Sequence, residues 1–131
     1  MMLSRFFAAL AICVLPLAAA ASEGDVTAGK KVFKKCGACH FVDKEKKKIG
    51  PSLKGVIGRT AGTWGKYKYS KAMKAAGEGG LSWSEEQLAE YLIKPRKLVP
   101  GTKMAFPGLK KPEDRSNVIA YIKTFSEPPA E

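Results

Sequence analysis

Two cysteines at C-x-x-C spacing run straight into the chain's single histidine, in Cys36-Gly37-Ala38-Cys39-His40. Thiols are soft nucleophiles and a neutral imidazole is a good ligand for a transition metal. C-x-x-C-H is the pattern by which two thiols add to the vinyl groups of a haem. The two-residue gap sets both sulfurs near the end of one helix, and the adjoining imidazole then falls beneath the iron. Two other chemistries use these residue types. A thioredoxin-like redox pair needs a βαβ setting, which the sequence lacks. A structural zinc site needs about four ligands, and two Cys with one His would leave the fourth to a carboxylate. Covalent haem uses all three residues.

A haem iron has a second axial face. With one His in the chain, bis-His ligation within it is excluded. The candidates are Met73, Met104, a lysine, or no ligand. Met73 lies in a short apolar segment and reads equally well as core. Met104 follows Pro100-Gly101-Thr102-Lys103, a turn that can present a side chain inward. It lies far from His40, with a helix between, so the chain can wrap a cofactor and approach its other side. Met/His ligation raises the reduction potential of a haem and belongs to electron transfer.

The first residues are not part of the fold. Arg5 is followed by an apolar stretch from Phe6 to Leu15, then Pro16 and the small residues Ala18 to Ala21. This is the layout of a secretory signal peptide, cleaved after Ala20 or Ala21. Its uncharged run is shorter than the roughly 20 residues needed to span a bilayer, so stable membrane insertion is not expected. Removing residues 1–21 takes away Cys13, leaves roughly 110 residues, and sets the boundary of a single domain over 22–131. The full chain carries 23 Lys+Arg against 12 Asp+Glu, a formal net charge of +11. An acidic partner follows from that balance. Nucleic acid is not expected, because export and the absence of an aromatic-basic motif argue against it.

The elements that position the motif are helical. Asp25 to Cys36 reads as a helix, with Asp25 as N-cap and Val26, Gly29, Val32, Phe33 and Cys36 on one face. Residues 41–69, rich in Gly and Lys, read as loops with short turns. Ser70 to Ala76 predicts a short helix stopped by Gly77. Ser82 to Lys94 predicts a second long helix, with Ser82 and Glu85 as its capping box and Pro95 as its end. Lys111 to Phe125 predicts a third, with Pro112 in the first turn. The expected fold is all-α: three main helices, short helices and loops wrapped around one haem.

Taken together, these blocks resemble class I cytochrome c, of the mitochondrial and bacterial c2 type. The resemblance covers about Gly24 to Glu127. It rests on Gly-Lys-Lys-Val-Phe-Lys-Lys-Cys at 29–36, the C-x-x-C-H motif, Gly-Pro at 50–51, Gly-Arg at 58–59, Trp83, Tyr91-Leu92, Pro-Gly-Thr-Lys-Met at 100–104 and Ile-Ala-Tyr-Ile at 119–122. It implies one covalently bound haem c, with thioethers at Cys36 and Cys39 and with His40 and Met104 as axial ligands. The Pro51 carbonyl would accept the other imidazole N–H. Arg59, Tyr69 and Trp83 would hydrogen-bond or screen the haem propionates. Tyr91 would lie near the Met104 sulfur, and Phe106 would cover the haem edge. Gly29 and Phe33 would pack against Tyr121 where the first and last helices cross. Lys35, Lys48, Lys97, Lys103 and Lys110 would form a basic ring for docking. The segment 74–81 is a few residues longer than in the mitochondrial form, and Met73 falls where that form often has Asn.

With the signal peptide, the resemblance implies a soluble periplasmic one-electron carrier, monomeric and not an enzyme. It would shuttle electrons between a bc1-type complex and a terminal oxidase or photosynthetic reaction centre, by docking on their acidic surfaces. A haem peroxidase or gas-binding protein would need an open iron position and polar distal groups, and no second His exists to serve there.

Overall fold

A computed structural model describes residues 23–126. The expected signal peptide, 1–21, lies outside the described residues. Among the described residues five helices follow one another: α1 (Val26–Phe33), α2 (Lys71–Glu78), α3 (Glu85–Ile93), α4 (Pro95–Leu98) and α5 (Pro112–Lys123). No sheet forms among the described residues. Two isolated antiparallel bridges, His40 with Lys47 and Thr60 with Ser82, pin the long loops instead.

α1 begins where Asp25 accepts a hydrogen bond from the Ala28 N–H at 2.6 Å. It ends three residues before the expected Cys36. From Lys34 the backbone tightens into i→i+3 turns, with Lys34 N–H on Lys31 O and Cys36 N–H on Phe33 O. These turns carry the chain into the cysteine pair. α1 packs on α5. The crossing passes over Gly29, where any Cβ would overlap the Asn117 carbonyl. Beside it Phe33 and Tyr121 stack with ring centroids 5.4 Å apart. The Asn117 side chain accepts the Asp25 N–H at 2.7 Å, which locks the start of α1 to α5.

α2 runs two residues past its expected stop. Gly77 lies inside it, buried, with the Ala61 carbonyl in the space a side chain would fill. Its glycine serves a close approach between segments, and Gly79 ends the helix. α3 also departs from expectation. Its N-cap is Ser84, whose hydroxyl accepts from Gln87 N–H at 3.1 Å, while the Ser84 N–H donates to Ser82 O at 3.0 Å, so the cap is one-sided rather than a box. Ser82 instead belongs to the bridge with Thr60. Pro95 does not simply end α3: it starts α4, where a missing N–H costs nothing. α5 is trimmed by one residue at its start and two at its end. The loops over 41–69 are as expected. The apolar faces of α1, α3 and α5 meet in one core, in which Val118 is fully buried.

Candidate functional site

One cavity of about 370 Å³ opens between the elements, with walls that are mostly apolar. Cys36, Cys39 and His40 line it from the turn after α1, and Met104 from the loop before α5. Pro51, Arg59, Tyr69, Trp83, Tyr91 and Phe106 line it as well. Residues scattered over seventy positions of sequence thus converge on one space, because the loops 41–69 and 99–111 fold back over the helices.

His40 is buried and fixed from two sides. Its Nδ1–H donates to the Pro51 carbonyl at 2.7 Å. That bond selects the tautomer with a free lone pair on Nε2, the arrangement that orients a metal-binding imidazole. Gly50 backs the ring so closely that a Cβ there would come within 2.5 Å of it. Burial lowers the imidazole pKa from its ordinary 6.5; the Pro51 bond opposes this and Lys48 adds to it. At neutral pH the ring is therefore an uncharged donor. Burial pushes the Cys36 thiol up to about 11, partly offset by Lys35. Cys36 and Cys39 form no disulfide with each other, which leaves both sulfurs for another bond.

On the opposite side, Tyr91 is buried and shares a hydrogen bond of 2.9 Å with the Thr102 hydroxyl. The same hydroxyl accepts the Met104 N–H at 3.3 Å. Thr102 therefore joins the Met104 segment to α3, and nothing in the sequence singled it out. Trp83 packs on Tyr91, centroids 4.8 Å apart. Arg59 spans the lower wall, donating to the carbonyls of Ser52 at 3.0 Å and of Lys54. Its guanidinium is half-buried, and burial lowers its pKa while the neighbouring Tyr69 phenol opposes that. Among the described residues no carboxylate bonds this half-buried cation, though Glu45 acts on it at longer range, and it suits an anionic group entering the cavity. Met73 also lines the cavity, 8 % exposed, so both methionines of the described residues face it. Tyr67 and Ile49 are further lining residues that sequence reasoning did not name.

Of the five lysines expected at the docking face, Lys35 and Lys103 line the cavity, whereas Lys48, Lys97 and Lys110 do not. All five are exposed. Two are engaged: Lys48 Nζ donates to the Gly37 carbonyl at 2.6 Å and Lys103 Nζ to the Lys68 carbonyl at 2.7 Å.

The donor set fits a covalently attached haem. Two thiols and an oriented imidazole stand together, a thioether shares the same apolar space, and a guanidinium waits at its edge. Comparison with known proteins agrees. The family model described as cytochrome c matches residues 26–126. Cytochrome c2 of Afifella marina is 54 % identical over 101 residues, 76 % of this chain and 82 % of that protein. Cytochrome c2 of Agrobacterium tumefaciens (strain II Chrys) is 50 % identical over 111 residues, 83 % of this chain and 100 % of that protein. The solved structure of cytochrome c2 from Rhodospirillum centenum superposes with a TM-score of 0.74 at 42 % identity, covering 79 % of this chain and 100 % of that one. The chain belongs to the cytochrome c family, in its class I, c2-type branch, as an electron-transfer protein with one covalently attached haem c.

Proposed function

We propose that the chain is a soluble periplasmic one-electron carrier whose haem is tied by Cys36 and Cys39 and held between His40 and Met104. One observation carries this reading: the two thiols, the Pro51-oriented imidazole and the Met104 side chain line a single, mostly apolar cavity. The haem, when bound, supplies an iron that cycles between ferrous and ferric states. The protein's part is to hold that iron still and dry. The His40 ring, fixed by Pro51 and Gly50, cannot swing between oxidation states. Met104, on a segment joined to α3 through Thr102 and Tyr91, offers a soft neutral donor that favours the ferrous form. Arg59, with Tyr69 and Trp83 beside it, offsets the charge of the propionates. Apolar walls exclude water, so little rearranges when an electron moves. Phe106 and the exposed Ile49 stand at the mouth, where lysines draw in an acidic redox partner. A bc1-type complex as donor, and a terminal oxidase or reaction centre as acceptor, suit that chemistry, as part of a respiratory or photosynthetic chain.

Spectra of the holoprotein, matured with haem attached, test the ligation. Wild type is expected to show the Met–iron absorption band of the ferric state. Met104→Ala is expected to lose it and to fall in reduction potential, and an unchanged spectrum refutes Met104 as ligand. The export reading is checked by the N-terminus of the purified protein. Ala21 or Ser22 is the expected first residue, and an intact Met1 in the membrane fraction overturns the periplasmic assignment.

A further inference from the structure

The two segments that carry the proposed axial ligands are each crossed by a lysine. Lys48 reaches back to the Gly37 carbonyl, inside the Cys36–His40 turn. Its ammonium also lies 4.3 Å over the ring of Phe41, the residue after His40. Lys103 directly precedes Met104. It reaches across to the Lys68 carbonyl, 35 positions away in sequence, and its ammonium lies 6.0 Å over the ring of Tyr67, which lines the cavity.

These bonds are selective. Among the described residues, no other lysine ammonium donates to a backbone carbonyl; Lys123 is paired with Glu85 instead. Fixing a lysine costs rotamer entropy, so a surface lysine stays free unless its contacts offset that cost. A charge-assisted bond to a carbonyl together with an aromatic face does so. Both lysines so fastened act on ligand segments: Lys103 directly precedes Met104, and Lys48 reaches the Cys36–His40 turn. The Met104 segment is otherwise held on its other side, at Thr102, whose hydroxyl bonds Tyr91 at 2.9 Å and accepts the Met104 N–H at 3.3 Å.

We propose that Lys48 and Lys103 are positioning residues, ammonium tethers that fix the His40 turn and the Met104 segment and set how readily each one opens. This rests on the His40/Met104 ligation argued above. The tethers act on opposite walls, so each has its own readout. Lys103 holds the Met104 segment to the Tyr67–Tyr69 loop. Lys48 holds the attachment turn from outside, beside Gly50 N–H to Cys39 O at 2.8 Å, Leu53 N–H to Phe41 O at 2.8 Å and His40 to Pro51; the turn's own backbone bonds, such as Gly37 N–H to Phe33 O, hold it from within.

The holoprotein with Lys103→Gln, Lys103→Arg, Lys48→Gln or Lys48→Arg decides it, with the exposed Lys30→Gln on α1 as control. Imidazole at about pH 8 is the probe on the Met104 side, since it is largely uncharged there and the loss of a lysine does not change its attraction. Its rate of displacing Met104 from ferric iron is followed as loss of the Met–iron band. Lys103→Gln is expected to raise that rate about fivefold, the factor carried by ~1 kcal/mol of lost hydrogen bonding. Lys103→Arg is expected to restore it. On the other wall, NMR exchange of the His40 Nδ1–H in the ferrous protein is expected to quicken about fivefold in Lys48→Gln and to recover in Lys48→Arg. If both Gln variants behave as Lys30→Gln does, the tethers are refuted. A wild-type protein without the Met–iron band would bring down the ligation itself, and the Lys103 tether with it.

Discussion

Thr102 does two jobs with one hydroxyl: it bonds the buried Tyr91 phenol and it accepts from the Met104 backbone. Replacing it with valine keeps the shape and removes the partner. Tyr91 is then left with a buried, unpaired hydroxyl, a loss of about 1–3 kcal/mol. Thr102→Val is expected to lower the unfolding free energy by that amount, read as a lower urea midpoint with an unchanged slope. Tyr91→Phe in the same chain is expected to return part of the loss, because no polar atom is then stranded. A single residue of this kind hides in a sequence. The C-x-x-C-H motif was legible because its members are consecutive and chemically rare. The role of Pro51 belongs to a main-chain carbonyl, which no side-chain pattern reveals, and it was reached only through resemblance. Thr102 stood inside the Pro-Gly-Thr-Lys-Met block at 100–104, yet no role was read for its hydroxyl, because a hydroxyl has too many ordinary uses.

Helix boundaries show where a local pattern is decided by distant contacts. Ser82 and Ser84 both stand before α3, and each is a plausible cap. Ser84 takes the role because Ser82 is held in the bridge to Thr60. Ser84→Ala is therefore expected to cost about 1 kcal/mol, while Ser82→Ala, read by the same thermal melts, costs only a few tenths. Gly77 looked like a stop because glycine is a poor helix former. Its reason lies across the chain, in the carbonyl of Ala61. The three main helices were legible from apolar spacing, whereas the α1–α5 crossing at Gly29, Phe33 and Tyr121 was reached only through the resemblance. The cavity wall contributed by loops 41–69 was not, because irregular backbone has no period from which to read the direction of a side chain.

Across the whole molecule the dominant quantity is charge, and it was plain from composition. Electron exchange with an acidic redox partner is expected to slow about tenfold or more between low and physiological ionic strength. Lys35→Glu at the cavity mouth is expected to lower the low-salt rate severalfold and flatten that dependence. Stopped-flow rates over a salt series check both. Composition did not say which ammonium groups are free, since Lys48 and Lys103 differ from their neighbours only through folded contacts. The pairing of α1 with α5 has a different consequence, one of connectivity. Asp25 and Asn117 bond across 92 positions, so folding must close most of the chain into a loop, at a cost of about 4 kcal/mol by the logarithmic loop law. Where the chain is severed therefore matters less than whether these two helices stay linked. A circular permutant that joins Ser126 to Glu23 by a short linker, and opens instead at the exposed Lys46–Lys47 turn, would make that pairing a local event and refold faster than the native order.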